Sequence, residues 1–279
     1  MIYTKQYTQE VLASILPTFK DLGHSKVAEV IQASGSLTEL SKRQLRRLIA
    51  EYRENQPTES GNVLIIGDLH SPFILEGYLD FCKRLYIKHD CSRVIFIGDI
   101  LDQHAMSFHT TDPDGFSAGH ELDYAVNQIR PWYEAFPVAD IMMGNHDFRI
   151  QRQAKGAGLP KRVLLPYKQI IEAPEGWTFH DNDLEIGNNI LVTHGTVGDA
   201  IARAKDSRQS VIQGHLHTKA YVEWAVSKKD KIFGMQVGTG IDRSTYAMAY
   251  AADNAKKPVI SAGLLIDGGK LPLVELMNL

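Results

Sequence analysis

Chemically active side chains follow a short, mostly apolar run near the middle of the chain, at residues 138–143. An amide, an imidazole and a carboxylate then stand side by side at Asn145, His146 and Asp147. Burying such groups in a strand without partners would cost roughly a few kcal/mol each, so we expect them at the strand's end. Four similar clusters follow other short apolar runs: Gly67-Asp68-Leu69-His70, Gly98-Asp99-Ile100-Leu101-Asp102, Thr193-His194-Gly195 and Gly214-His215-Leu216-His217. This mixture of oxygen and imidazole donors suits first-row transition metals.

The spacing within the clusters points to more than one cation. Asp68 and His70 are two residues apart, so in an extended segment both side chains point to one side and can reach the same ion. His215 and His217 repeat this spacing and can share one ion or serve two adjacent ones. A carboxylate such as Asp99 can bridge two cations through its two oxygens. Two cations about 3.5–4 Å apart can hold a shared hydroxide and clamp a phosphoryl group during in-line displacement, so the spacing predicts a dinuclear hydrolytic site.

The elements that must position these clusters are short strands alternating with helices. Apolar runs at residues 62–66, 93–97, 138–143, 190–192 and 210–213 each precede one cluster, and helical stretches at 75–89 and 121–136 lie between them. Pro131 is expected to kink or split the second of these helices. The alternation predicts an α/β fold whose polar residues gather at the carboxyl ends of strands, where open α/β sheets bind ligands.

Residues 1–60 have a different pattern, and we expect them to form a small helical N-terminal appendage to a main domain at 61–279. Leu45, Leu48, Ile49 and Tyr52 have the spacing of an amphipathic helix whose other face is basic. A basic helix after shorter ones loosely resembles a helix-turn-helix, which would bind a DNA groove. The alternative is a solvated appendage or an oligomerisation element. The polar stretch at 55–61, with Pro and Gly, predicts a linker.

Composition narrows the class of protein. The chain has 279 residues and a net charge of −3, so there is no global basic field and local fields must be sought. The two cysteines, Cys82 and Cys91, argue against a disulfide framework or a thiolate zinc site and fit a reducing compartment. No apolar run approaches the roughly 20 residues of a membrane span, and no secretory signal is evident. We therefore expect a cytoplasmic protein without a membrane partner, and leave a homo-oligomer open.

Taken in order, the five clusters resemble the motifs of the calcineurin-like metallophosphoesterase superfamily. The resemblance is strongest over residues 62–220, and the ending Gly-Asn-His-Asp-x-Arg at residues 144–149 is most similar to uncharacterised phage and bacterial members. The fold that it implies is two packed mixed β-sheets flanked by helices. The activity that it implies is metal-dependent hydrolysis of a phosphoester substrate.

The resemblance also implies two divalent metal ions and a set of ligands for each. These ligands would be Asp68, His70 and His217 for the first ion, Asn145, His194 and His215 for the second, and Asp99 as a bridge. His146 would act as a general acid at the leaving-group oxygen, or stabilise charge there. Asp102 would hydrogen-bond His146 and keep it oriented and protonated. Manganese is favoured, although the donor set also suits iron and zinc.

Two positions depart from better-known members of the superfamily. The residue after Asp102 is Gln103, where the protein Ser/Thr phosphatases have an arginine that grips phosphate, so phosphoprotein substrates are disfavoured. The double-strand-break repair nuclease of the superfamily has a histidine at the position of Asp102. The nearest histidine here is His104, which is either a substrate contact or an ordinary loop residue.

A run of positive charge follows the Asn-His pair, with no acidic residue between Asp147 and Glu172. Its six cations are Arg149, Arg152, Lys155, Lys161, Arg162 and Lys168. Such a surface attracts a polyanion, so Arg149 and Arg152 are predicted substrate contacts and DNA or RNA is the favoured substrate. The span is expected to be a loop, in which Tyr167 either stacks on a base or packs in the core.

Two other functions stay open at this stage. The first is a phosphatase or phosphodiesterase that acts on small nucleotides or on phosphoproteins. The second is a non-catalytic scaffold that keeps the fold as a binding surface. The scaffold is disfavoured because every expected metal donor is present in the sequence.

Overall fold

The chain divides into two compact units, Met1–Pro57 and Thr58–Leu279. The computed structural model describes residues 5–19, 23–55, 61–108, 113–187, 189–242, 244 and 257–278. Most of the predicted linker, at residues 56–60, lies outside these ranges. No helix within the described ranges has the length and apolar character needed to cross a lipid bilayer.

The described part of the first unit contains three α-helices with their own core. These are α1 (Lys5–Ile15), α2 (His24–Ala33) and α3 (Lys42–Asn55), with a 3₁₀ turn at Leu16–Phe19. Eight buried side chains form its core: Leu12, Leu16, Val27, Ala28, Ile31, Leu37, Leu45 and Ile49. Ser41 and Gln44 begin α3 with reciprocal bonds, since the Ser41 N–H donates to Gln44 Oε1 (2.9 Å) and the Gln44 N–H donates to Ser41 Oγ (3.3 Å). The helical pattern predicted around Leu45 and Ile49 is therefore present, while the Tyr52 side chain lies outside the description.

The second unit contains two mixed sheets. The strands of the first sheet are, in spatial order, β11 (Leu271–Leu276), β10 (Ser261–Ile266), β1 (Asn62–Ile66), β2 (Cys91–Phe96), β3 (Ala139–Met142) and β4 (Trp177–His180). Those of the second are β5 (Leu184–Ile186), β6 (Ile190–Thr193), β7 (Ser210–Gln213), β9 (Lys231–Gln236) and β8 (Tyr221–Val226). In each sheet the strands that precede the polar clusters pair in parallel. In the first sheet β4 continues the parallel set and β10 pairs antiparallel with β1. In the second sheet β9 is parallel to β7, while the two edge strands β5 and β8 are antiparallel to their neighbours.

Alternation along the strands places one apolar set between the two sheets and another against helices. On β1, Val63 and Ile65 face the second sheet, where they pack with residues such as Ile212 and Met235. Leu64 and Ile66 face the opposite side and pack with α4 (Tyr78–Lys88) and α5 (Ala118–Ala135). A third apolar cluster packs α8 (Ala200–Ser207) on the outer face of the second sheet. The predicted α/β class, two packed mixed sheets flanked by helices, is confirmed.

Two local predictions need correction, of which the first applies to the splitting of a helix and leaves a kink untested. Pro131 does not split α5, which runs for 18 residues through it and begins at a Ser117 cap. Its neighbours Ile129 and Trp132 are buried, so packing of one face outweighs the hydrogen bond that the proline removes. The basic span after Asp147 is not a plain loop, because it contains α6 (Arg149–Gly156), a 3₁₀ turn at Lys161–Val163 and α7 (Tyr167–Ile170).

Candidate metal centre

The loops that follow β1, β2, β3, β6 and β7 meet at one end of the sheets, and they bring the predicted donors together. Among the residues that the structure describes, three groups of side chains offer ligand atoms within 4.8 Å of one another. These groups are Asp68, His70, Asp99 and His217; Asp99, His194 and His215; and His70, Asp102 and His146. Asp99 belongs to the first two groups, which is the position that a bridging carboxylate would need.

In the first group, two imidazoles and two carboxylates converge. His70 Nε2 lies 3.0 Å from His217 Nε2 and 3.8 Å from Asp99 Oδ2, and His217 Nε2 lies 3.1 Å from Asp68 Oδ2. Asp68 is completely buried, and the described residues supply no hydrogen bond to its Oδ1. Nitrogen and oxygen lone pairs aimed at one point, together with an unpaired buried oxygen, fit a cation.

The second group of side chains also converges on Asp99, and Asn145 lies beside it. His194 Nε2 lies 3.0 Å from Asn145 Oδ1 and 3.3 Å from Asp99 Oδ2, and the ring centroids of His194 and His215 are 5.2 Å apart. His194 Nδ1 is bonded to the Ile97 carbonyl (3.1 Å), which directs Nε2 toward Asn145 and Asp99. The amide oxygen of Asn145 thus lies beside two other predicted ligands, and its role as a ligand stays a prediction.

The electric field of these groups favours positive charge. Burial opposes protonation of the His194 imidazole, but the charges of Asp99 and Asp68 outweigh burial and raise the pKa of His194 to about 10. Among the described residues only histidines form ion pairs with Asp68 and Asp99. Buried carboxylates without a lysine or arginine partner need another cation, and a pair of divalent ions would supply that charge.

Glycines allow the loops to approach this closely. A Cβ on Gly144 would lie 2.1 Å from Asp99 Oδ1, and a Cβ on Gly98 would lie 2.6 Å from His194 Nδ1. Gly98 also has φ of +115°, a conformation that side chains other than glycine rarely adopt. The loops after β2 and β3 therefore pass one another with no space for a side chain.

His146 lies beside the two groups of ligand atoms and reaches the open side of the centre. Its Nδ1 lies 2.8 Å from the Asp102 carbonyl and 3.3 Å from Asp102 Oδ1, while Nε2 lies 4.0 Å from Asp99 Oδ2. The Asp102 carboxylate is closer to His70, at 2.7 Å from Nδ1. Burial opposes the charged imidazole of His146, but Asp99 and Asp102 together raise its pKa above the usual range. The predicted contact between Asp102 and His146 is present, and the Asp102 backbone carbonyl lies closer to His146 Nδ1 than the Asp102 carboxylate does.

The three predicted substrate contacts lie in different settings. Arg149 donates to the carbonyls of Asp102 (2.8 Å) and Gln103 (3.1 Å), and its Nη2 lies 3.0 Å from His146 Nε2. Arg152 donates to the Asn145 carbonyl at 2.7 Å. His104 begins a 3₁₀ turn, and its backbone N–H donates to Glu121 Oε1, but its side chain belongs to none of the three groups. The two arginines thus border the centre more directly than His104 does.

A buried connection that the sequence did not reveal joins the loops after β2 and β3 to α7. Asp147 is completely buried, and its carboxylate accepts from the N–H of Gly144 (2.9 Å), from the N–H of Leu101 (3.2 Å) and from the Tyr167 hydroxyl. Tyr167 is 8% exposed, so its ring packs in the core and does not offer a face to a base. The only hint of this connection in the sequence is that Tyr167, if it packs in the core, must find a hydrogen-bond partner for its hydroxyl.

A cleft of about 350 Å³ opens beside Asn145 and His194. Arg152, His180 and Arg203 also line it. His180 follows no predicted motif, yet its Nε2 lies 2.8 Å from Asp140 Oδ1, and Arg93 holds the other oxygen of that carboxylate at 2.8 Å. The cleft therefore adds polar side chains to the open side of the centre that sequence reasoning missed.

Comparisons with known proteins identify a family for this chain. The family model described as calcineurin-like phosphoesterase matches residues 61–235. No curated protein matches the sequence. Similar solved structures include the phosphoesterase Yfce from E. coli, with 11% identity over 78% of this chain and 100% of that one and a TM-score of 0.37. Two others are the nuclease MPE of Pseudomonas putida (13% identity, 76% and 86% coverage, TM-score 0.37) and a metallophosphoesterase from Sphaerobacter thermophilus (12%, 78% and 88%, 0.40).

The family match covers more than half of the chain and contains all of the predicted metal ligands. It confirms the resemblance that the five clusters indicated. This chain belongs to the calcineurin-like phosphoesterase family and is a metal-dependent phosphoesterase.

Proposed function

We propose that this chain is a two-metal phosphodiesterase that cleaves nucleic acid. The observation that carries the proposal is Asp99, whose buried carboxylate belongs to both groups of converging ligand atoms. The residues that would hold the two ions are Asp68, His70 and His217 for one, Asn145, His194 and His215 for the other, and Asp99 for both. When bound, two divalent cations lower the pKa of a water molecule and offset charge on phosphoryl oxygens. Manganese is the favoured metal, with iron and zinc as alternatives.

His146 would donate a proton to the leaving oxygen. Its imidazole is held at Nδ1 by Asp102, is 16% exposed, and has its Nε2 directed to the side of Asp99. Burial opposes the charged imidazole, but Asp99 and Asp102 raise the pKa of His146, which favours the protonated form that a general acid needs. Arg149 Nη2 lies 3.0 Å from the same nitrogen. Because a guanidinium only donates, Arg149 would turn from the protonated Nε2 to the non-bridging oxygens of the phosphate as they enter.

The charge beside the centre supports a polymeric substrate. Of the six cations after Asp147, Lys161 lies 3.9 Å from Asp181, and Lys168 donates to the carbonyls of Glu175 and Trp177. The other four, Arg149, Arg152, Lys155 and Arg162, form no ion pair with any described residue. Four unpaired cations on and after α6 would bind successive phosphates of DNA or RNA, with binding that weakens as salt rises.

A smaller substrate is the second candidate, and one observation favours it. The cleft beside Asn145 and His194 has about 350 Å³, within the range of pockets that enclose small ligands. A nucleotide phosphoester would fill such a cleft without using the cations on α6. The two candidates therefore differ in whether neutralising Lys155 and Arg162 changes turnover.

The test is hydrolysis by manganese-loaded protein, with end-labelled single- and double-stranded DNA and RNA and with bis(p-nitrophenyl) phosphate. His146→Ala should keep both metals and lose about 10²–10⁴-fold in turnover, as expected for a general acid. His120→Ala, a change of an exposed histidine on α5, serves as the matched control and should keep full activity. Equal turnover in the two variants would refute the role of His146. Hydrolysis of nucleotides alone, with intact polymers, would select the smaller substrate.

A further inference from the structure

An exposed aromatic ring lies close to the metal centre. Phe108 is 60% exposed, and no aromatic residue in the described part of the chain is more exposed. The Trp224 side chain is 39% exposed, and Lys231 Nζ lies 4.3 Å from the centroid of its ring. Phenylalanine is normally among the more buried residues, so a ring that the described residues leave 60% exposed is open to a ligand.

Arg152 connects this ring to the centre. Its guanidinium carbon lies 5.3 Å from the centroid of the Phe108 ring, and its Nη2 donates to the Asn145 carbonyl at 2.7 Å. Arg152 also lines the cleft, and no described carboxylate pairs with it. A flat aromatic face and a cation therefore lie together, and the cation contacts the backbone of Asn145, a proposed metal ligand.

The segment that carries Phe108 is tied to α6 at two points before the ring. Gln153 Nε2 donates to the Met106 carbonyl at 2.9 Å, and Arg149 Nη1 donates to the Gln103 carbonyl at 3.1 Å. Both donors are on the helix that also carries Arg152. The ring is thus held in register with the two arginines that border the centre.

We propose that Phe108 and Arg152 form a stacking platform for an unpaired nucleobase next to the scissile phosphate, so that single-stranded nucleic acid is the preferred substrate. This inference rests on the proposed nuclease function and specifies its substrate. Every base has a π-face that can stack on an aromatic ring, and arginine adds a cation–π contact and a charge for the neighbouring phosphate. Within a duplex both faces of a base are covered by its neighbours, so the platform favours unpaired strands.

The test compares two single-stranded 12-mers of equal charge, one with all its bases and one with abasic sites at the central positions. Binding is measured by fluorescence anisotropy at fixed salt, with manganese-loaded protein made inactive by His146→Ala. We expect the base-containing strand to bind at least about five-fold more tightly than the abasic one. In the His146→Ala/Phe108→Ala variant this ratio should fall to near one, and Phe108→Trp in the same background should restore it.

The results of this test distinguish failure of the platform from failure of the nuclease proposal. A ratio that Phe108→Ala leaves unchanged overturns the platform while leaving the nuclease proposal intact. Binding of neither strand overturns the platform together with nucleic acid as the substrate. Hydrolysis of bis(p-nitrophenyl) phosphate by the active protein separately tests the phosphodiesterase, so that failure of the activity and failure of the platform give different results.

Discussion

The buried contact between Tyr167 and Asp147 gives a stability prediction that depends on one hydroxyl. Tyr167→Phe removes the O–H that donates to Asp147 and leaves the ring in its place, where it packs edge to face against Phe179 at 5.8 Å. Asp147 keeps its two backbone donors, the N–H groups of Gly144 and Leu101. The perturbation is therefore the loss of one hydrogen bond to a buried carboxylate, without a new cavity.

The expected loss is about 2 kcal/mol in the free energy of unfolding, because a hydrogen bond to a charged group contributes about 1.5–3 kcal/mol. For a domain of about 150–250 residues, each kcal/mol lowers the Tm by about 2–4 °C, so Tm should fall by about 4–8 °C. Burial and the charge of Asp99 raise the pKa of Asp147 to about 6, so at pH 8 the carboxylate is ionised and the full effect should appear.

The assay is urea and thermal unfolding at pH 8, with Tyr133→Phe as the matched control. The Tyr133 hydroxyl donates to a neutral acceptor, the Ile171 carbonyl, at 2.5 Å, so its loss should cost only about 1 kcal/mol. If Tyr167→Phe destabilises the protein no more than Tyr133→Phe does, the carboxylate contact contributes nothing special and the reasoning fails.

Three further predictions concern the centre and the thiols. Gly144→Ala should displace Asp99 and lower the metal content measured by elemental analysis, because the new Cβ would lie 2.1 Å from Asp99 Oδ1; Gly119→Ala, where nothing lies within 4 Å, should leave the metal content unchanged. Asp99→Ala should empty at least one of the two metal positions, and a variant that retains both would show that Asp99 is not a bridge. Cys82 and Cys91 are buried, and burial raises the pKa of Cys91 to about 11, so a thiol reagent at pH 7.5 should label neither until urea unfolds the protein.

The sequence revealed the convergence of the metal donors because sheet geometry leaves little choice. Mostly apolar runs of three to six residues are followed by Asp, Asn or His at each of five positions, and parallel strands bring their carboxyl ends to one edge. Asp68 and His215 are far apart in the chain, yet the His215 N–H donates to Asp68 Oδ2 at 2.9 Å. The local pattern and the sheet topology place these side chains at the same edge, so the spacing in the sequence is enough to predict that they meet.

The connection around Asp147 could not be predicted in the same way. It depends on where α7 lies, and α7 has only four residues in a span that looked like a loop. Helices of this length have almost no signal in a sequence, because their stability comes from tertiary packing. Phe108 raises the same difficulty, since nothing in its neighbours indicates that Arg152, 44 positions later, will lie over its ring.

The carboxylate of Asp102 limits how far the roles in this centre can be separated. It lies 2.7 Å from His70 Nδ1 and 3.3 Å from His146 Nδ1, so one group orients both a proposed metal ligand and the proposed acid. A change of the Asp102 side chain should therefore lower metal retention, because His70 loses the partner on the nitrogen opposite its working one. It should also loosen His146, although the Asp102 carbonyl stays 2.8 Å from His146 Nδ1. The His146 backbone N–H donates to Asp99 Oδ1 at 2.8 Å, and this bond survives a change of side chain, so His146→Ala should remove the acid and leave the ligands in place. The geometry thus makes His146, and not Asp102, the position at which catalysis can be separated from metal binding.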